Sequence, residues 1–309
     1  MATENVLKVF LYTTFALVAF AFNSILCRLA LRGDEADAAG FTAVRLVSGA
    51  AALVVIGWLV GFTGGNASVN ERAELNDHDH GTLLNSRVSA FQHFGNWPSA
   101  FFLFAYAVCF SFAYLGLSAG TGALILFGAV QLTMVAAAIS RGERPTPLEW
   151  TGLVIAVGGL VYLVLPGLSS PPLASSLLMA VAGVAWGVYS IRGKGSVDPL
   201  GDTAGNFARS VLFAVPLAVV YLPALHLTTR GWLFAVLSGA VTSGVGYTVW
   251  YAALKYHTST RAAVLQLAVP VIAAVFGIIL LGETATATLS IAAALILGGI
   301  GLTIAGRKS

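Results

Sequence analysis

Two stretches decide the fold of this chain: Val108–Leu117, VCFSFAYLGL, and Val245–Leu254, VGYTVWYAAL. Both are apolar and aromatic, both sit inside longer apolar runs, and they align at an offset of 137 residues. Other pairs fall in the same order. Arg28 and Arg45 match Arg192 and Arg209 at an offset of 164, while Gly142-Glu143 matches Gly282-Glu283 and Gly158-Gly159 matches Gly298-Gly299 at 140. The offset shrinks because the first copy carries the longer connection between its second and third apolar runs. Each match is weak alone, but their agreement in order predicts a duplicated unit.

Each unit holds five runs of about 20 apolar residues, the length that crosses a bilayer at 1.5 Å rise per residue. The first five are Val9 to Leu31, Ala38 to Val60, Pro98 to Leu117, Thr121 to Ser140 and Leu148 to Leu165. The second five are Leu173 to Ile191, Thr203 to Leu222, Gly231 to Leu254, Thr260 to Leu281 and Thr286 to Ala305. Of the 309 residues 58% are apolar and 9% charged, against roughly 25% charged in a soluble domain, so a water-soluble globule is excluded. A transmembrane barrel is excluded as well, because the runs do not alternate as strands do. The first run is too long for a signal-peptide core and is read as retained. Cys27 and Cys109 lie in apolar runs and offer no zinc site.

Five is odd, so the second copy enters the membrane upside down. The predicted fold is an all-α membrane protein of ten transmembrane helices, two inverted five-helix repeats around a central cavity. Residues 1–166, with a polar cytoplasmic loop at 63–96, form the first repeat, and 167–309 the second. Inverted repeats are the architecture of secondary transporters, since exchanging the conformations of the halves turns an outward-open cavity inward. A cytoplasmic N-terminus places eleven of the 16 Lys and Arg inside and only Arg32 and Arg230 outside, so both termini are expected in the cytoplasm.

With these repeats, the Arg near the start of the second helix of each copy (Arg45, Arg209) and the Gly-Glu before the last helix of each copy (Gly142-Glu143, Gly282-Glu283), the chain resembles the drug/metabolite transporter superfamily with tandem EamA-type repeats. Within it the chain looks most like the YddG-type exporters of aromatic amino acids. The resemblance implies a multi-pass protein of the bacterial inner membrane, with no enzymatic activity, that moves Phe, Tyr, Trp and related solutes through a cavity between its halves. The polar stretch Thr63 to Asn96 is longer than the loop usual in that family.

No carboxylate falls at membrane depth, and the five His lie in loops or at span ends, so neither a proton relay nor a catalytic dyad is expected. Facilitated diffusion follows as the expected energetics. Glu149, near a span end, is the carboxylate that a water-filled cavity could still reach. The chain lacks a P-loop, and Asp77-His78-Asp79-His80 reads as a solvated loop rather than a metal site; no cofactor, metal or nucleic-acid partner is expected, only a small-molecule cargo and the lipid bilayer.

Tyr106, Phe110 and Tyr114 recur at i, i+4 and i+8 on one helix face and map onto Ser243, Tyr247 and Tyr251 at offset 137, two stripes suited to opposite walls of one cavity. Asn23, Gln131 and Gln266 are amides at depth that either bond between helices or line the cavity, and Trp186 and Tyr189 lie in the inner half of the sixth run. These eleven residues form the candidate binding site. At Tyr247 the ring is expected to matter and the hydroxyl to be dispensable for apolar cargo. Pro270 and Pro216 are candidate hinges, because proline frees the carbonyl four residues earlier. Arg28, Arg45 and Arg209 either snorkel or pair with Asp34, Glu35, Asp37 or Asp202, or else meet a substrate carboxylate. Glu143 and Glu283 are read as helix-start residues, and Trp58, Trp97, Trp150, Trp232 and Trp250 as an interfacial belt. Two other readings stay open: efflux of cationic aromatic drugs, and a membrane structural or assembly partner without flux.

Overall fold

The computed structural model describes residues 2–72, 94–140, 146–164, 171–194, 196–254, 256–257, 265–266 and 268–306. They are helical throughout, with no strand among the described residues beyond an isolated bridge between Ala36 and Leu227. The helices are α1 (Ala2–Arg32), α2 (Ala38–Arg72), α3 (Trp97–Ala113), α4 (Ala119–Ser140), α5 (Pro147–Val164), α6 (Leu173–Gly193) and α7 (Pro199–Val220). Next comes α8, which runs through Thr229–Val236, a π-helical segment Leu237–Val245 and Gly246–Leu254, then α9 (Ala268–Leu281) and α10 (Ala287–Ala305). Six helices contain a stretch long and apolar enough to cross a membrane: Leu7–Arg32, Ala38–Leu59, Ala119–Ala137, Leu173–Gly193, Pro199–Val220 and Thr229–Leu254. The other four are shorter apolar helices.

Local chemistry sets the helix starts. Asn96 and Asp198 accept from the backbone N–H three residues on and are followed by proline in the first turn, where its missing N–H is no loss. At α5, Thr146 and Glu149 form a reciprocal capping box: the Glu149 amide donates to Thr146 Oγ1 (3.3 Å), and the Thr146 amide donates to the Glu149 carboxylate (2.5 Å). Asp37 accepts from the Gly40 amide at the start of α2 (2.8 Å) and from the His226 amide (2.7 Å), which fastens the α1–α2 turn to the α7–α8 connection. The sequence places a polar loop from Thr63, whereas α2 continues to Arg72; the Asp77–His80 motif and Glu143 lie outside the described residues.

Packing inverts the polarity of a soluble protein. Val154, Ile279, Val219 and Trp58 are exposed on the outside, while Arg45, Asn23, Ser111, Ser210, Ser238 and Ser243 are buried inside. Such a surface is stable only against hydrocarbon, where every buried backbone group is already satisfied within its helix. Trp58, Trp97, Trp150 and Trp232 are about half exposed, as an interfacial belt requires, but Trp250 is fully buried and packs edge-on against Phe20 at 5.7 Å. The principal neighbours are α3 with α6 and α7, α4 with α6 and α9, α2 with α7 and α8, α1 with α8 and α9, and α5 with α10. Helices of the first half therefore pack chiefly on helices of the second.

Candidate functional site

Where α1, α3, α4, α6 and α8 converge, Phe20, Asn23, Tyr106, Phe110, Leu126, Phe127, Trp186 and Tyr247 wall a cavity of about 10 Å³. That volume admits about one water, against the roughly 300–1,000 Å³ of a pocket holding a drug-sized ligand, so the centre is shut. The wall is a mesh of edge-on and tilted rings: Trp186 lies 4.5 Å from Tyr247, 5.1 Å from Tyr106 and 5.7 Å from Phe20 between ring centroids. Such pairs contribute about 0.5–1.5 kcal/mol each beyond their buried area, which holds the wall closed.

Behind two of these rings stands Arg45, 1% exposed. Its Nη2 donates to the Tyr247 hydroxyl (2.9 Å) and the Tyr106 hydroxyl (3.2 Å), and its Nε donates to Ser243 Oγ (3.1 Å). The guanidinium also lies over the rings of Phe110 and Tyr106, at 4.9 and 5.1 Å from their centroids. No carboxylate among the described residues pairs with it. A buried charge without a counter-charge carries a penalty of about several kcal/mol that neutral hydroxyls offset only in part. Close approach of α8 makes the cluster possible: a Cβ at Gly239, in the π-helical segment, would stand 2.1 Å from the Arg45 carbonyl oxygen and 2.1 Å from Ser48 Oγ. π-helical geometry is rare and is found frequently at functional positions.

Of the sequence candidates, Asn23, Tyr106, Phe110, Trp186 and Tyr247 meet at this cavity, and Ser243 joins through Arg45. Tyr189 and Tyr251 do not line the cavity but stack on each other at 6.0 Å behind it, Tyr189 lying 5.6 Å from Trp186 of the wall. Tyr114, the C-cap of α3, continues the stripe, its amide donating to the Phe110 carbonyl (3.2 Å) and its ring 4.8 Å from that of Phe110, but it does not line the cavity. Gln131 and Gln266 are buried but do not line the cavity. Pro216 lies inside α7, and Pro270 is buried in the opening turn of α9. Sequence reasoning missed Phe20, Leu126 and Phe127. Phe20 had a signal: it shares a face with Asn23 at i, i+3.

The three arginines expected near span ends meet different fates. None pairs with Asp34, Glu35, Asp37 or Asp202. Arg28 pairs with Glu283 (3.4 Å) and donates to the Tyr114 carbonyl (2.7 Å), while Arg209 donates to the carbonyls of Phe94 and Gly205 and lies over the Phe94 and Trp97 rings. Glu283 serves a different helix from the one it precedes: both its oxygens accept from the Ala119 amide at the start of α4, at 2.9 and 3.0 Å. This tie among α1, α4 and the α9–α10 turn borders an open pocket of about 430 Å³ lined also by Arg32, Thr121, Pro171 and Thr286. No group of His, Cys, Asp and Glu suited to a metal occurs among the described residues.

An apolar exterior around a polar, ring-walled centre built by both halves of the chain defines a multi-pass membrane protein of the solute-transporter class. The comparisons with known proteins name the family: residues 173–305 match the EamA-like transporter family. An uncharacterized protein of Pseudomonas aeruginosa is 44% identical over 97% of this chain and 96% of its own length. A Salmonella typhimurium protein named "Probable amino-acid metabolite efflux pump" is 26% identical over 66% of this chain and 73% of its own. A crystal structure superposes with a TM-score of 0.60 at 19% identity, covering 94% of both chains, a likeness of fold. The chain belongs to the EamA-like transporter family.

Proposed function

We propose that the protein exports amino acids with aromatic or apolar side chains from the bacterial cytoplasm, through ten membrane crossings arranged as two inverted five-helix repeats. The observation that carries this reading is the central cavity, where rings able to cradle an apolar side chain stand beside hydroxyls, an amide and a guanidinium able to hold a polar head. The neighbour pattern supports the repeats. Exchanging each of α1–α5 with the helix five positions later turns α3–α6 into α8–α1, α4–α6 into α9–α1 and α2–α8 into α7–α3, and each of these pairs is in contact. The names of distant relatives, the Salmonella efflux pump among them, point toward amino acids, and the aromatic wall agrees with the YddG-type specificity.

Downhill movement is the energetic part of the proposal. Glu149, the carboxylate that could have served a proton cycle, is 9% exposed and engaged in its capping box. Purified protein in vesicles is expected to exchange labelled phenylalanine or leucine in counterflow, and an imposed pH gradient alone is expected to drive no accumulation. Absence of counterflow sinks the export reading; accumulation against a gradient under pH drive sinks the downhill mechanism.

The bacterial inner membrane with both termini cytoplasmic is the orientation that the eleven-to-two charge split favours. A single cysteine at Asp34 is expected to react with an impermeant thiol reagent in intact cells, and one at Asn76 to be protected. The reverse pattern would invert the topology.

A further inference from the structure

Resting on the export reading, we propose that Arg45, with the hydroxyls of Tyr106 and Tyr247, is the subsite that takes the cargo's carboxylate. The cargo are then carboxylate-bearing solutes, zwitterionic or anionic, and amine cations are refused. The argument is a count of hydrogens around the cavity. Asn23 Oδ1 accepts from Ser238 (2.6 Å), with the Thr242 hydroxyl sharing its one hydrogen between Asn23 Oδ1 (3.1 Å) and the Ser238 carbonyl (2.9 Å), which turns Asn23 Nδ2 toward the Tyr106 hydroxyl as a donor (3.2 Å). Arg45 Nη2 donates to that same hydroxyl and to Tyr247. The two phenols share one bond, Tyr247 donating to Tyr106 at 3.3 Å. A phenol carries one hydrogen, so this bond satisfies only one of the two. The Tyr106 hydrogen has no acceptor among these partners.

Arg45 Nη1, buried with no hydrogen-bond partner, adds two more hydrogens without an acceptor. The centre thus offers a positive charge and three hydrogens without an acceptor, and the side-chain oxygens bonded within it, those of Asn23, Ser243, Tyr106 and Tyr247, already accept from donors. Only an acceptor from outside completes it, and a carboxylate supplies two oxygens in the geometry that a guanidinium fork matches. Arg28 has the Glu283 carboxylate and Arg209 two main-chain carbonyls, so this shortage is a property of Arg45 and not of arginines in the fold at large. Phe110 and Tyr106 flank the guanidinium, while Phe20 and Trp186 stand on the cavity wall where a side chain attached to that carboxylate would lie.

The test alters the cargo before it alters the protein, so misfolding cannot imitate the result. In vesicles holding wild-type protein, counterflow of labelled L-phenylalanine and of labelled L-leucine is challenged with the matching unlabelled acid, the matching carboxamide, and 3-phenylpropionate, which keeps the carboxylate and lacks the amine. Acids and 3-phenylpropionate are expected to compete, and the carboxamides to compete about tenfold or more weakly, the loss expected on exchanging a charge-assisted pair for a neutral group that brings its own unwelcome donors. In Tyr106→Phe, which keeps the guanidinium, and in Arg45→Lys, which keeps the charge and loses the fork, the acid-over-amide preference is expected to shrink. Amides that compete as well as acids overturn the inference while flux of either amino acid leaves the export reading standing. Acid preference for leucine alone upholds the carboxylate subsite and removes the aromatic preference. Flux of neither amino acid overturns the subsite and the export reading together.

Discussion

Leucine at position 299 is expected to abolish recoverable folded protein, whereas leucine at position 298, its neighbour, leaves the yield near that of wild type. The two glycines are adjacent in α10 but face opposite ways. A Cβ at Gly299 would stand 2.5 Å from the Ala156 amide nitrogen and 2.5 Å from the Gly152 carbonyl oxygen on α5, while one at Gly298 meets nothing within 4 Å. The obstacle is main chain, which no rotamer change can move, so α5 and α10 must part. Gly152 faces the same seam from the other side, where a Cβ would stand 2.4 Å from the Gly299 carbonyl oxygen, and a Cβ at Gly159 would meet Leu295 and Ile296. In a membrane the hydrophobic effect does not drive helix association, and close approach at small residues carries it. Overpacking costs typically about 1–3 kcal/mol where side chains can adjust, and a backbone obstacle places Gly299→Leu at or beyond the top of that range. Size-exclusion profiles of the two purified variants, with their thermal midpoints, check this; equal profiles would mean that the seam does not hold the halves together.

The glycine pairs illustrate how far the sequence could be read. Gly158-Gly159 and Gly298-Gly299 match at an offset of 140 residues, and in both pairs the second glycine enters the seam while the first meets nothing. Spacing revealed the correspondence but not which member packs, because that depends on how far each helix is rotated. The apolar runs were legible because a bilayer demands about 20 residues without charge, a constraint that acts on composition alone. Tyr106, Phe110 and Tyr247 were legible as a cavity wall because α-helical periodicity puts residues four apart on one face. Tyr114 continues that stripe past the end of α3 at Ala113 but lies beyond the cavity, a limit that periodicity alone does not set.

Arg45 was not legible as the centre. Eight residues into α2 it looks, like Arg28 and Arg209, close enough to a helix end to snorkel, and only the approach of α8 at Gly239 seals it from water. The π-helical segment that shapes this approach leaves no periodicity signal, six of its nine residues being Gly, Ala, Ser or Thr. Glu283 misleads for a related reason. Its position before α10 suggests service to that helix, but the turn at Gly282, where φ is +62°, carries it to the start of α4. Contacts made in trans are invisible to any reading that moves along one helix at a time.

That same buried contact reverses an expectation about Tyr247. Read from the sequence, the hydroxyl is dispensable and Tyr247→Phe spares apolar cargo. In the structure the hydroxyl accepts from Arg45 at 2.9 Å, the shortest of the three hydrogen bonds that the guanidinium makes. Removing it adds a further unpaired N–H to a cation that already has an unpartnered Nη1. Hydrogen bonds to charged groups are worth about 1.5–3 kcal/mol, so Tyr247→Phe is expected to lose stability of that order, with transport affinity falling roughly tenfold to a hundredfold if the misplaced guanidinium is what cargo meets. Tyr247→Ala removes in addition the ring contacts with Trp186 and Phe20, and truncation of a buried aromatic costs about 3–5 kcal/mol. Tyr221→Phe, at a partly exposed tyrosine of the α7 C-cap, is the comparison and is expected to stay within about 0.5 kcal/mol of wild type. The measurement is a thermal midpoint for each variant in one detergent, followed by counterflow affinity for those that remain monodisperse. A Tyr247→Phe protein as stable and as avid as wild type would mean that Arg45 does not depend on this hydroxyl. A graded series, Ala worse than Phe and Phe worse than the Tyr221 control, is what a guanidinium held by its two tyrosines requires.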